Sequence, residues 1–278
     1  MKIVHRTKLK TVRSGDRLEL YRYKEPIKYG EPPQHIDSNL KPAEKSQSEK
    51  IKNRWLSSRR SKKTFTRLVY ANINQWEDLK GKIARPTFLT LTFAENITNK
   101  KQANFEFTKF IKRLTYETTR KKTSYLKYIV TVEFQGRGAI HYHVLFFNLP
   151  YIPKKKIAQI WKQGFIKIKQ AEDVKKTIDY LSKYMAKELS DDRLCGEKSY
   201  FCSRGLKKPV VTRNEEKIEF ITSLYEKDFE KAEEFRKSYK SDYCGEFEFL
   251  IYDFKKSKKL KTELLAFEKL FGLQYETT

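Results

Sequence analysis

A chain of 278 residues with 38% apolar side chains, among them 19 Phe and 17 Tyr, is long enough for one packed catalytic domain with extensions, or for two small domains. Its formal net charge of +25 implies a polyanionic partner, most simply nucleic acid. We find no apolar run of about 18 residues, no signal-peptide pattern and no lipidation motif, so no membrane partner and a cytoplasmic location are expected.

Residues 1–40 mix charges with Pro26, Gly30, Pro32 and Pro33 and read as mostly irregular, with short strands at 2–4 and 18–21. Residues 41–67 hold ten Lys or Arg against Glu44 and Glu49, most densely at Arg59, Arg60, Lys62 and Lys63. Such a run is either a solvated helix face or a phosphate-binding surface, and the charge of the whole chain favours the second. Trp55 and Phe65 interleave the charges, where they either stack on bases or anchor the helix to a core. The helical pattern runs on through Leu68, Val69, Ile73 and Trp76 to 79, and Gly81 and Pro86 break it.

Residues 87–93 alternate as a strand, with Leu89 and Leu91 on one face and Thr90 and Thr92 on the other. Asn99 caps a helix whose apolar stripe is Ala103, Phe107, Phe110, Ile111 and Leu114. Two alternating runs, 128–134 and 140–147, flank Gly136-Arg137-Gly138 and mark a hairpin. Pro153 opens a helix with Ile157, Ile160 and Trp161, and Gly164 closes it. A strand at 165–168 follows, and Asp173 caps the next helix. Strand, helix, strand, strand, helix, strand is the ferredoxin-like order of an α+β domain. It gives a central antiparallel sheet with helices on one face and the other face open. Residues 213–278 alternate charged helical patterns with a strand-like 247–252 and carry no legible role. Cys195, Cys202 and Cys244 form no C-x-x-C pair and read as free thiols of a reducing cytosol.

The hairpin organises the rest. A strand turns successive side chains to opposite faces. His141 and His143 therefore share a face with Leu145 and Phe147, while Ile140, Tyr142, Val144 and Phe146 form a core face. A three-residue loop pairs Gln135 with Ala139 and Glu133 with His141, which brings Glu133 beside the histidines. Two imidazoles and a carboxylate converging in this way suit a divalent ion with open positions, and the mixed nitrogen and oxygen donors suit Mn²⁺ and tolerate Mg²⁺. Gln135 is the alternative third ligand. A histidine pair on a sheet can also be merely hydrogen-bonded. In the helix after Asp173, Val174, Ile178, Leu181, Met185 and Leu189 form one stripe at about 100° per residue. Tyr180, Lys183, Tyr184 and Lys187 cluster on the opposite side, either as packing groups or as phenols poised for nucleophilic attack.

Together, Phe88-Leu89-Thr90-Leu91-Thr92-Phe93, Glu133 with His141-Tyr142-His143, and Tyr180-x-x-Lys183-Tyr184-x-x-Lys187 resemble the HUH endonucleases. The two-tyrosine replication initiators of rolling-circle plasmids and small single-stranded DNA phages are the most similar. The resemblance spans roughly residues 85–210. It implies an HUH nuclease domain at 81–212, between a basic, partly helical extension at 1–80 and a C-terminal extension or satellite at 213–278. It implies a metal held by Glu133, His141 and His143, with Tyr180 or Tyr184 attacking a phosphodiester to leave a 5′-phosphotyrosine. Lys183 and Lys187 would favour the phenolate or stabilise phosphate charge. The implied substrate is single-stranded or hairpin origin DNA. No G-x-x-x-x-G-K-[ST] segment occurs, so a host helicase and polymerase are the expected partners. Segments similar to 199–210 follow the tyrosine helix in related initiators, which suggests phosphate contacts from Arg204, Lys207 and Lys208. A relaxase or single-strand transposase shares this chemistry, and a non-catalytic DNA-binding protein needs only the charge.

Overall fold

The computed structural model describes residues 5–29, 46–171, 173–187 and 200–270. In chain order its elements begin with β1 (His5–Ser14), β2 (Arg17–Tyr29), α1 (Gln47–Asn72), β3 (Thr87–Thr92) and α2 (Lys100–Thr119). Next come β4 (Tyr128–Phe134), β5 (Ile140–Phe146), α3 (Lys154–Trp161), β6 (Ile166–Gln170) and α4 (Val174–Lys187). The last are β7 (Tyr200–Cys202), β8 (Val210–Thr212), α5 (Glu215–Leu224), α6 (Glu226–Ala232), β9 (Glu233–Ser241), β10 (Gly245–Asp253) and α7 (Lys258–Leu270). Two compact units result: Gln47–Leu206 forms one, and Met1–Ser46 with Lys207–Glu276 forms the other. The division differs from the expected boundaries after residues 80 and 212. Phe65, Leu68 and Val69 tie α1 into the core of the first unit, and the two ends of the chain pair their strands in one sheet.

The first unit carries a five-stranded sheet in the order β6-β3-β5-β4-β7, antiparallel at every pair. Its first four strands with α2 and α3 make the ferredoxin-like α+β arrangement, and β7 adds an edge beside β4. Alternation divides the sheet between two cores. On one face Leu89, Leu91, Val130, Tyr142, Val144 and Phe146 pack against Phe107, Phe110 and Leu114 of α2 and Ile157 and Trp161 of α3. Full burial of each large side chain contributes about 1.5–3 kcal/mol relative to exposure. On the other face Phe88, Ile129, Leu145 and Phe147 pack with Phe65, Leu68, Val69 and Ile73 of α1 and Ile178 and Leu181 of α4. Helices therefore occupy both faces, a correction to the expectation of helices on one face only. Beyond the histidines, Leu145 and Phe147 extend an apolar surface that must be covered, and α1 presents apolar residues at helical spacing to cover it.

Several boundaries depend on single residues. Asn99 Oδ1 accepts from the amides of Lys101 (2.9 Å) and Gln102 (3.2 Å), the cap expected of it. Helix α1 ends at Asn72 instead of continuing to 79, because Asn74 takes a φ of 55°. Trp76 then folds back, and its Nε1 donates to Asn72 Oδ1 at 3.0 Å. Lys162, at φ 62°, and not Gly164, caps α3. Gly164 serves close approach instead: at φ 147° a Cβ there would lie 2.5 Å from both Ala94 N and Thr92 O.

In the second unit the sheet order is β8-β1-β2-β10-β9, with Leu18, Leu20, Leu250 and Tyr252 packed under Ile218, Ile221, Phe229, Leu260 and Leu264. The strand pattern at 247–252 lies within β10, which pairs with β2 and β9. Cys202 and Cys244 are free thiols, and Cys195 lies outside the described residues. No helix among the described residues is long and apolar enough to cross a membrane.

The two glycines of contrasting environment give a stability test. Gly164→Ala should lower the unfolding free energy by at least about 1–3 kcal/mol, since an L side chain at this φ is strained before any clash. A Cβ at Gly136 meets nothing within 4 Å. Gly136→Ala should accordingly stay within about 0.5 kcal/mol of the parent in urea denaturation. Equal midpoints for the two variants would contradict the packing at Gly164.

Candidate functional site

The β4–β5 hairpin has the register that a three-residue loop dictates: Glu133 pairs with His141 and Thr131 with His143. The Gln135 amide donates to Ala139 O at 2.9 Å, the Gly138 amide donates to Gln135 O at 2.8 Å, and Gly138 takes a φ of 89°. Arg137 at the loop tip reaches across to the end of β3, donating from Nη2 to Phe93 O at 2.8 Å and from Nε to Gln135 Oε1 at 3.2 Å. The loop is thereby tied to the neighbouring strand, and the Gln135 side chain is engaged by Arg137.

On the face opposite α2 and α3, both histidines are buried, His141 at 9% exposure and His143 at 3%. Glu133 reaches diagonally: its Oε2 lies 2.9 Å from His143 Nε2. Thr90 of β3 supports the other nitrogen, with Oγ1 3.3 Å from Nδ1. The sequence pattern placed Thr90 on this face but gave it no partner. His141 Nε2 and Thr131 Oγ1 are buried with no hydrogen-bond partner, an arrangement that costs about 1–3 kcal/mol per group. Burial, reinforced by the adjacent His143 and by Arg137, holds the His141 imidazole below its ordinary pKa, with Glu133 acting in the opposite sense. Among the described residues no three His, Cys, Asp or Glu side chains form a ready group for a metal ion. The donor chemistry nevertheless fits one: a neutral imidazole with a vacant nitrogen, a second imidazole and a carboxylate share one sheet face.

Helix α4 lies on the same face, anchored by Ile178 and Leu181. Asp173 starts it, accepting from the Lys176 amide at 2.9 Å. Its spacing turns Tyr180 toward the histidines, with its ring edge-to-face with that of His143 at 6.2 Å. Phe88 sits between, stacked on His143 at 6.0 Å and edge-to-face with Tyr180 at 5.3 Å. Tyr180 is 41% exposed. Other tyrosines of this unit are shut away: burial pushes the Tyr128 phenol up to about 12 and raises that of Tyr142, whose hydroxyl donates to Asn104. Lys183 is exposed on α4, and the side chains of Tyr184 and Lys187 lie outside the described residues.

The face holds two residues that sequence reading missed. Lys167 pairs with Thr90 and Lys169 with Phe88, which aligns both lysines with the row of histidine-side groups. The signal was the alternation Ile166-Lys167-Ile168-Lys169, legible only once β6 is known to pair with β3. Of the expected phosphate contacts, Arg59, Arg60, Lys62 and Lys63 are exposed on α1, with the Arg59 guanidinium 4.5 Å over the Trp55 ring. Phe65 is fully buried and anchors the helix, the second of its two expected roles. Arg204 belongs to the first unit, while Lys207 and Lys208 belong to the second and are half-buried. The structure therefore does not group these three as one patch. Burial, with Arg13 nearby, lowers the Lys207 pKa.

Residues 86–189, which span β3 to α4, match a family model of replication-associated proteins, the one described by its ORF2 member. This likeness supports a part in the initiation of DNA replication. No curated protein and no solved structure matches the chain.

The depressed pKa of His141 has a consequence for stability. The unfolded state takes up a proton near the ordinary histidine value of about 6.5, whereas the folded site resists it to lower pH. The contribution is fully present above that value and is lost as pH falls toward the folded pKa. Thermal unfolding of metal-free protein should therefore show a midpoint that declines below about pH 6.5, and His141→Asn should flatten part of that decline. An identical pH profile for the variant would count against a buried neutral His141.

Proposed function

We propose that this protein is a metal-dependent HUH-type endonuclease and strand transferase. It would nick and rejoin single-stranded DNA through a 5′-phosphotyrosine, and so start and end rolling-circle replication. One observation carries the reading: the Tyr180 ring stands 6.2 Å from that of His143, over the sheet face that bears His141 and Glu133. The similarity of residues 86–189 to replication-associated proteins supports the replicative setting.

Glu133, His141 and His143 would hold Mn²⁺ or Mg²⁺, with Gln135 as the alternative third ligand. When bound, such an ion polarises the scissile phosphate and offsets part of its negative charge. Tyr180 Oη forms the new bond to phosphorus as the bond from phosphorus to the 3′ oxygen breaks. The phenolic proton passes to solvent, and the departing 3′ oxygen acquires one. Lys183 and Lys187 stabilise phenolate and phosphate charge. The phosphotyrosine keeps the energy of the cleaved ester, so attack by a 3′ hydroxyl reseals the strand without ATP. Tyr184 follows Tyr180 by four residues, the spacing of helix neighbours, and takes the second cleavage after one round of synthesis. Arg59, Arg60, Lys62, Lys63, Arg204, Lys207 and Lys208 bind backbone phosphates of single-stranded or hairpin origin DNA. A host helicase and polymerase supply unwinding and extension.

The test uses a randomised single-stranded DNA library with Mn²⁺ or Mg²⁺, followed by recovery of adducts that survive denaturation and mapping of the modified peptide by mass. Wild-type protein should carry adducts at both tyrosines. Tyr180→Phe and Tyr184→Phe should each retain nicking, and the double variant should lose it. His141→Ala or His143→Ala should lower the rate at least about 100-fold, the upper end of what even an outer-shell change costs. DNA affinity should stay nearly unchanged in these variants. Adducts that form equally well in EDTA, or in the double Phe variant, would sink the proposal.

A further inference from the structure

Beside Tyr180 lies a cavity of about 420 Å³ that the chemistry above leaves unused. Phe88 and Tyr180 supply its aromatic wall, Lys167 and Lys169 of β6 its basic wall, and Gln170 and Thr177 polar groups between them. Lys176 also lines it, but its ammonium lies 3.6 Å from Asp173 and its charge is partly answered there. Lys167 and Lys169 are exposed, and neither forms an ion pair with a described residue. Two like charges point to the same side of one strand, two residues apart, at a self-repulsion that an anion relieves. The volume falls in the range of small-ligand sites. An aromatic wall facing a cationic one is the combination that holds a nucleotide, with ring stacking for the base and ammonium groups for its phosphates.

We infer that this cavity seats one nucleotide of single-stranded DNA next to the attacked phosphate, its base against Phe88 and Tyr180 and its flanking phosphates on Lys167 and Lys169. The inference takes its substrate class from the nicking reading. It adds a role for Phe88 and for β6, and it makes Gln170 and Thr177 the groups facing the base edge. Because Phe88 also stacks on His143, a seated base reaches the histidine row through a single ring.

The test is independent of cleavage because it is run in EDTA. A fluorescein-labelled fifteen-nucleotide oligo-dT is titrated by anisotropy over a range of salt, with the full chain as wild type, as Lys167→Ala/Lys169→Ala and as the control Lys101→Ala/Lys112→Ala on α2. The pocket pair should lower the slope of log affinity against log salt by about 1.4, because each single-strand phosphate contact contributes about 0.7. The control pair removes the same charge and should shift the slope by less than half as much. In parallel, oligo-dT carrying one 5-iododeoxyuridine is photocrosslinked to wild-type protein, and the linked residue is read by peptide mass. A crosslink at Phe88 or Tyr180 is the expected result. Equal slopes for the two lysine pairs, or crosslinks confined to other residues, overturn the assignment even if the protein nicks DNA. Slope loss and crosslinks as expected, in a protein that never nicks with any divalent ion, would retain the nucleotide seat and reject the nicking reading.

Discussion

The register of one hairpin governs the first unit. Pairing of Glu133 with His141 fixes which face each residue of β4 and β5 occupies, and the alternation leaves no intermediate choice. A slip by one residue would drive both imidazoles and the carboxylate among Phe107, Phe110 and Trp161, and turn Tyr142 and Val144 outward. Such a slip is opposed by the full burial of Ile140, Tyr142, Val144 and Phe146. The same apolar face that stabilises the fold therefore also aims the polar face. The three-residue turn and the Arg137 bonds to β3 reinforce the register from the loop end.

Helix α4 shows how a long, partly exposed side chain is given a fixed address. Ile178 and Leu181 are committed to the core, so rotation of the helix about its axis would expose them. Tyr180 consequently stays over the histidine row while remaining partly open to solvent, a condition a nucleophile for a large substrate requires. The buried phenols of Tyr128 and Tyr142 meet the opposite condition, since their surroundings penalise the charged form and no substrate reaches them. Position in the fold, not residue type, separates the two groups.

The second unit uses charge differently. On β2, β9 and β10 the exposed residues largely answer one another, Arg22 and Arg236 with Glu248 and Lys24 with Glu246. Deeper in, Arg13 and Glu268 form an ion pair that is nearly closed to solvent. Burial raises the Glu268 pKa even with the guanidinium adjacent, so the pair contributes less than its geometry suggests, although loss of either partner would strand a buried charge. These lysines and arginines serve the fold. The positive excess of the chain is carried by exposed residues elsewhere, such as those of α1 and β6.

The sequence alone determined what local periodicity can encode. The split order of strands and helices, the Asn99 cap, the hairpin turn and the sharing of one face by Glu133, His141 and His143 all follow from periods of two and 3.6 residues and from turn chemistry. Pairings between distant segments were decided only by the tertiary structure. β1 and β2 read as irregular because His5, Arg6, Lys8 and Lys10 mask their alternation, and they become strands by pairing with β8 and β10 about 200 residues away. Whether Phe65 met a base or a core depended on the surface that Leu145 and Phe147 present to α1. The reach of Glu133 to His143 instead of to its register partner His141, and the placing of Lys167 beside Thr90, depended on side-chain geometry across strands. One-dimensional patterns carry the face of a residue but not its neighbours across the sheet, and it is those neighbours that make a face into a site.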